Sequence, residues 1–205
     1  MQSGNHLFCK PVPVFHRHEV LYEYSIEELG QTIGFRSFDL QTDLSLIHNW
    51  VNQPYSKRFW QMQGDIDLLY NTYTNILSSS YTHSFIGTLD NVPICLIDVY
   101  LVIIDELKVH IYVNADDCGL HLLMAPPRLL LKNLSYYALR EFVAYIFSFP
   151  VATTLYVEPD CKNILANKLA LKTGFQFQNT IQLSYKTANL YSLTKENFYA
   201  KNKIS

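Results

Sequence analysis

The segment Gly119 to Arg128, GLHLLMAPPR, concentrates more chemistry than any other stretch of the chain. Leu120, His121 and Leu122 read as part of a strand, which turns the imidazole to the face opposite its two neighbours. A neutral imidazole is readily poised to take a proton near neutral pH, so His121 is either a satisfied histidine of the sheet or a general base. Pro126-Pro127 ends the strand, and a short loop carrying Arg128 and Lys132 leads to a helix that Ser135 can cap. The first amides of a helix lack internal partners and its dipole adds positive character, so the junction suits an anion, at about 0.3 to 1 kcal/mol per exposed contact. Ordinary strand-to-helix turns with solvated cations have the same composition, and taken alone the loop favours that plainer account.

Asp160 follows Glu158-Pro159 at the end of a second predicted strand. Open α/β sheets place their sites at strand ends, while Asp after Pro serves equally as a turn or helix-capping residue. Asn163 to Phe175, NILANKLALKTGF, predicts a helix with a basic exposed side, closed by Gly174 in a left-handed conformation. His16 and His18 have strand spacing for a metal, but no third ligand lies close in sequence, so they read as an exposed polar pair and no metal is expected. The aromatic residues Trp50, Tyr55, Phe59 and Trp60 form either packing or a substrate wall.

These residues need elements to hold them. Residues 1–32 read as an extension in which Val12 to Phe15 and Val20 to Tyr24 could make a hairpin. A strand is predicted from Ile33 to Phe38, followed by a helix capped by Thr42 or Asp43 and stopped by Pro54, and a second helix after Gly64 with Ile66, Leu69, Tyr70, Tyr73, Ile76 and Leu77 on one stripe. Strands follow at Thr82 to Leu89, Ile94 to Ile103, Leu107 to Val113 and Leu120 to Ala125, with a turn at Asp90-Asn91. The helix from Ser135 ends before Pro150. A strand from Thr153 to Glu158, the helix Asn163 to Thr173 and a strand from Phe175 to Leu183 complete one domain over 33–195, with a tail at 196–205. A mixed, mostly antiparallel α/β (α+β) sheet flanked by helices follows from this order.

The 205 residues, 49% apolar and 17% charged, are enough for one substantial core, which excludes general disorder. A net charge of -2 gives no cationic field for nucleic acid, and the apolar runs are too short for a membrane span. The four cysteines are scattered without a CxxC and read as reduced thiols, making a soluble cytoplasmic protein the expectation. Monomer and homodimer are both compatible with the sequence.

The order of elements, the GLHLLMAPPR junction and the helix NILANKLALKTGF resemble the Gcn5-related N-acetyltransferases (GNAT), which bind acyl-coenzyme A. FRSFDLQTDLSLIHNWVNQPYSKRFWQ from Phe35, PICLIDVYLV from Pro93 and TLYVEPDCKN from Thr154 narrow the resemblance to siderophore-biosynthesis acyltransferases that act on hydroxylysine or related N-hydroxylated amines.

That resemblance implies the GNAT acyltransferase fold, acetyl-CoA or another acyl-CoA such as succinyl-CoA as co-substrate, and no metal. It assigns catalysis to His121 and Asp160. Coenzyme contacts fall to Leu123, Met124, Arg128, Lys132, Asn133, Leu134, Ser135, Asn163 and Lys168, and acceptor contacts to Trp50, Trp60, Asp98, Tyr100 and Tyr112. The implied acceptor is N-hydroxyputrescine, N-hydroxycadaverine or hydroxylysine; an ordinary amine, or a non-catalytic acyl-CoA-binding module, are the competing expectations. Three departures stand out. LKNLS has no glycine where the superfamily loop is glycine-rich, so only Asn133 could readily turn left-handed there. Ala170 stands near where many members carry a tyrosine acid, and Asp98 where the siderophore branch tends to carry Glu.

Overall fold

The computed structural model describes residues 19–126 and 131–202. The elements run β1 (Val20–Ile26), β2 (Gln31–Ser37), α1 (Leu40–Val51), α2 (Pro54–Lys57), α3 (Ile66–Ser78), β3 (Thr82–Leu89), β4 (Val92–Leu101), 3₁₀ turns at Val102–Ile104 and Glu106–Val109, β5 (Cys118–Met124), α4 (Leu134–Ser148), β6 (Thr154–Val157), α5 (Ile164–Thr173), β7 (Gln176–Gln182), β8 (Thr187–Thr194) and α6 (Lys195–Asn202). The eight strands are ordered β1-β2-β3-β4-β5-β6-β8-β7 in one sheet. The sheet is mixed: β5 and β6 are parallel, while β1/β2, β2/β3, β6/β8 and β7/β8 are antiparallel.

The described chain forms two compact units, one of residues up to Asp98 with Leu122–Phe142, the other of Val99–His121 with Val143 onward. In the first, Phe38, Ile47, Trp50, Val51, Leu69 and Tyr73 make a core under α1 and α3. Asp39 starts α1 by accepting the Gln41 and Thr42 amides, and Asp65 starts α3 through the Asp67 amide. Asp43, expected as a cap, is instead buried in a two-point ion pair with Arg36, at 2.7 and 2.8 Å. In the second unit, Tyr100, Val102, Leu107, Ile181, Leu183, Ala188 and Leu190 pack together. Asn163 caps α5, and Gly174 closes it at φ 111°.

Several expectations are corrected. Leu107 to Val113 alternates like a strand but forms a 3₁₀ turn and irregular chain, because the Asp105 carboxylate takes the Leu107 amide and turns the backbone before it can pair. Helix α4 begins at Leu134, one residue ahead of the expected cap Ser135, with Asn133 left-handed before it at φ 66°. β1 pairs with β2, so that part of the predicted extension joins the sheet; Val12 to Phe15, His16 and His18 lie outside the described residues. β8 and α6 were not expected. No helix among the described residues is long and apolar enough to cross a membrane.

Candidate active site

His121 is on β5, and its Nε2 lies 2.6 Å from Glu158 Oε1, just beyond the end of β6. The parallel pairing of Gly119 with Tyr156 brings the two strands alongside. The Glu158 side chain is 2% exposed, whereas that of His121 is 38% exposed. Lys186 Nζ approaches the same oxygen at 3.4 Å, and the Tyr100 hydroxyl donates to Oε2 at 3.1 Å. Burial alone would raise the Glu158 pKa; His121, Lys186 and Tyr100 outweigh it and hold the carboxyl down at about 2. An ionised carboxylate only accepts, so Nε2 carries the hydrogen of this bond.

Two loops border this group. Asp105, on the chain after β4, is raised above the usual carboxylate range by burial, reinforced by Glu158 and Glu106. Glu106 accepts the Ser184 amide and hydroxyl, both at 2.8 Å, and so ties the 3₁₀ turn to the β7–β8 hairpin that carries Tyr185 and Lys186. The Lys186 ammonium lies 5.2 Å from the centroid of the Tyr185 ring.

The other unit carries the start of α4. Asn133 turns left-handed immediately before the 15 residues of α4, and its carbonyl accepts from Tyr137 at 3.0 Å. Ahead of Tyr137 the Leu134 amide donates to the Leu131 carbonyl at 3.4 Å, and the Ser135 amide belongs to the first turn, where helix geometry supplies no internal acceptor. This backbone fits the diphosphate end of a coenzyme A, with Asn133 taking the part expected of a glycine. In the same unit the carbonyl of Met124, the last residue of β5, accepts the Tyr55 hydroxyl at 2.7 Å.

Residues 39–183 match the acetyltransferase (GNAT) domain. The chain belongs to the GNAT acetyltransferase family. It is therefore an N-acyltransferase enzyme of GNAT type. Over 185 residues it is 27% identical to the N-hydroxyputrescine acetyltransferase of Acinetobacter baumannii, covering 87% of this chain and 84% of that one. It is 23% identical to the lysine N-acyltransferase MbtK of Mycolicibacterium paratuberculosis, covering 74% and 69%. These relatives fit the siderophore-type branch. Among solved structures, aminoglycoside acetyltransferase AAC(6')-Ib in complex with coenzyme A superposes with a TM-score of 0.76 at 21% identity, covering 83% of this GNAT chain and 99% of that one.

The expected site residues fall into distinct places. His121 and Tyr100 meet, with ring centroids 5.0 Å apart. Asp160 was expected to orient His121 or bind the acceptor's N-hydroxyl; the carboxylate on His121 is Glu158, and Asp160 accepts the Lys162 amide at 2.7 Å. Trp50, 3% exposed, belongs to the core, and Trp60, partly buried, packs against the same cluster. Asp98 accepts from Ser84 Oγ at 2.5 Å and from the buried Tyr73 at 3.3 Å. Tyr112 is 88% exposed on irregular chain, away from any strand position. The Leu123 side chain is core, which leaves its backbone alone for a coenzyme. Asn163 is spent on the Ala166 amide as the α5 cap, and Lys168 is exposed on that helix. Lys132, Asn133, Leu134 and Ser135 cluster at the start of α4, while Arg128 lies outside the described residues.

Sequence reasoning missed Glu158 and Lys186. Glu158 had a signal: a carboxylate that directly continues the alternating TLYV strand must find a partner if buried. Lys186 had none, being one lysine on a hairpin turn.

Proposed function

We propose that this GNAT enzyme transfers an acyl group, acetyl in the first instance, from acyl-coenzyme A to the hydroxylamine nitrogen of an N-hydroxylated amine, yielding a hydroxamate for siderophore assembly. The observation that carries this reading is the half-exposed His121 held by a buried, ionised Glu158. A hydroxylamine is less basic than an alkylamine and arrives largely unprotonated at neutral pH. The site therefore has to position it and remove a single proton as the nitrogen bonds to the thioester carbon and the carbon–sulfur bond breaks, releasing coenzyme A as its thiolate, to which the proton is returned. His121 Nδ1 takes that proton, a role worth about 100-fold to 10,000-fold. Glu158 fixes the ring through Nε2–H and stabilises the imidazolium that forms. Asp160 accepts from the N-hydroxyl group. Lys132 and the amides of Asn133 and Ser135 hold the coenzyme diphosphate, with Leu134 between them. The A. baumannii relative, named for N-hydroxyputrescine, supports this acceptor class across most of the chain.

The test is thiol release from acetyl- and succinyl-coenzyme A with N-hydroxyputrescine, N-hydroxycadaverine and hydroxylysine, each beside its unhydroxylated parent. The expected result is turnover of at least one hydroxylated acceptor well above its parent. Equal rates would move the acceptor to ordinary amines, and coenzyme binding without thiol release from any amine would make the protein a non-catalytic binder.

A further inference from the structure

We infer that Lys186 is a positioning residue for acyl transfer: its ammonium shares Glu158 Oε1 with His121, balances the buried carboxylate, and so allows the imidazole to be neutral and accept a proton. The argument starts from a conflict in the pair itself. A carboxylate 2.6 Å from an imidazole orients the ring but also favours its protonated form, and a ring already protonated is no base. A second cation on the same oxygen resolves the conflict. Lys186 is suited to this role because its side chain is only 12% exposed and its ammonium lies near the Tyr185 ring face. The hairpin turn bearing it is fixed by the Glu106–Ser184 bonds.

The groups around the pair are Tyr100 from β4, Asp105 and Glu106 from the 3₁₀ segment, and Tyr185 with Lys186 from the β7–β8 turn. Of these Lys186 is the cation; the two acids add to the field of Glu158, and Tyr100 and Tyr185, with raised pKa values caused first by burial and then by the acids, stay neutral. Removing the ammonium therefore leaves His121 facing uncompensated negative charge.

This inference rests on His121 acting as the base, and the experiment separates the two. The His121 ring is titrated by NMR, its signal assigned by loss in His121→Gln, in the wild type, Lys186→Met, Lys186→Gln and Lys186→Arg. The pH profile of kcat/KM is measured on the same proteins. With either neutral variant the ring midpoint and the acid limb are expected to rise by about one unit or more, which is tenfold less neutral imidazole below the limb. Activity returns at high pH, and the arginine variant stays at the wild-type midpoint. An unmoved ring midpoint in a folded neutral variant overturns the inference whatever the activity. A moved midpoint with no acyl transfer in the wild type upholds the charge balance and removes the proposed reaction instead.

Discussion

The α-carbon of Gly119 lies so close to the Tyr100 ring that a β-carbon built there would overlap Cζ, Cε2 and the hydroxyl oxygen. The glycine thus keeps the Tyr100 hydroxyl on Glu158 by having no side chain. Gly119→Ala is expected to destabilise the fold by about 1 to 3 kcal/mol through overpacking. It should also lower kcat, because the displaced phenol no longer supports Glu158. Urea unfolding together with steady-state kinetics checks both, and a variant with wild-type stability would show that the ring moves aside freely.

His121→Ala should lower kcat by about 100-fold to 10,000-fold while leaving the KM for acyl-coenzyme A near its wild-type value. Glu158→Gln keeps the shape but removes the negative charge facing Nε2–H, and a loss of up to about 10,000-fold is expected. Asp160→Asn should raise the acceptor KM with the acid limb of the pH profile unmoved. A limb that shifted in Asp160→Asn and not in Glu158→Gln would restore Asp160 as the partner of His121.

Glu158 also links folding to acidity. Its carboxyl titrates at about 2 in the folded chain against 4.5 for a free side chain. The depressed value means stability that is fully present above 4.5 and is lost as pH falls toward 2, on the order of 3 kcal/mol in total. Wild type should therefore lose about 2 kcal/mol more than Glu158→Gln when urea unfolding is repeated at pH 3 instead of pH 6. Parallel losses in the two proteins would contradict the assignment.

Asn133 at φ 66° precedes α4 in a conformation that glycine adopts freely and alanine resists. Asn133→Gly should unfold at nearly the wild-type urea concentration, whereas Asn133→Ala should cost about 1 kcal/mol. Acetyl-coenzyme A affinity, read by calorimetry, is expected to survive in the glycine variant and fall several-fold in the alanine variant.

Elements whose ends carry their own chemistry were legible in the sequence. Asn163 and Gly174 delimit α5 within a residue of the reading, Asp90 and Asn91 turn left-handed between β3 and β4, and Asn133 was the one residue of its loop able to do so. His121 was legible because it interrupts an apolar strand. What determines its surroundings is not local. Glu158 is 37 residues away, and Lys186 lies 28 further on, at a turn between strands whose sheet order is the reverse of their chain order. Trp50 could have been wall or core, and the α1–α3 contact that decides it is invisible along the chain. In 107–113 the apolar alternation was present, but the Asp105 hydrogen bond to Leu107 overrode it.

The two Glu106–Ser184 bonds couple segments 78 residues apart in the chain. For anyone exchanging segments between relatives, the consequence is that the 3₁₀ segment and the hairpin have to be moved together. A graft that moves either alone would sever the tether and leave the donor's lysine aimed at the wrong depth.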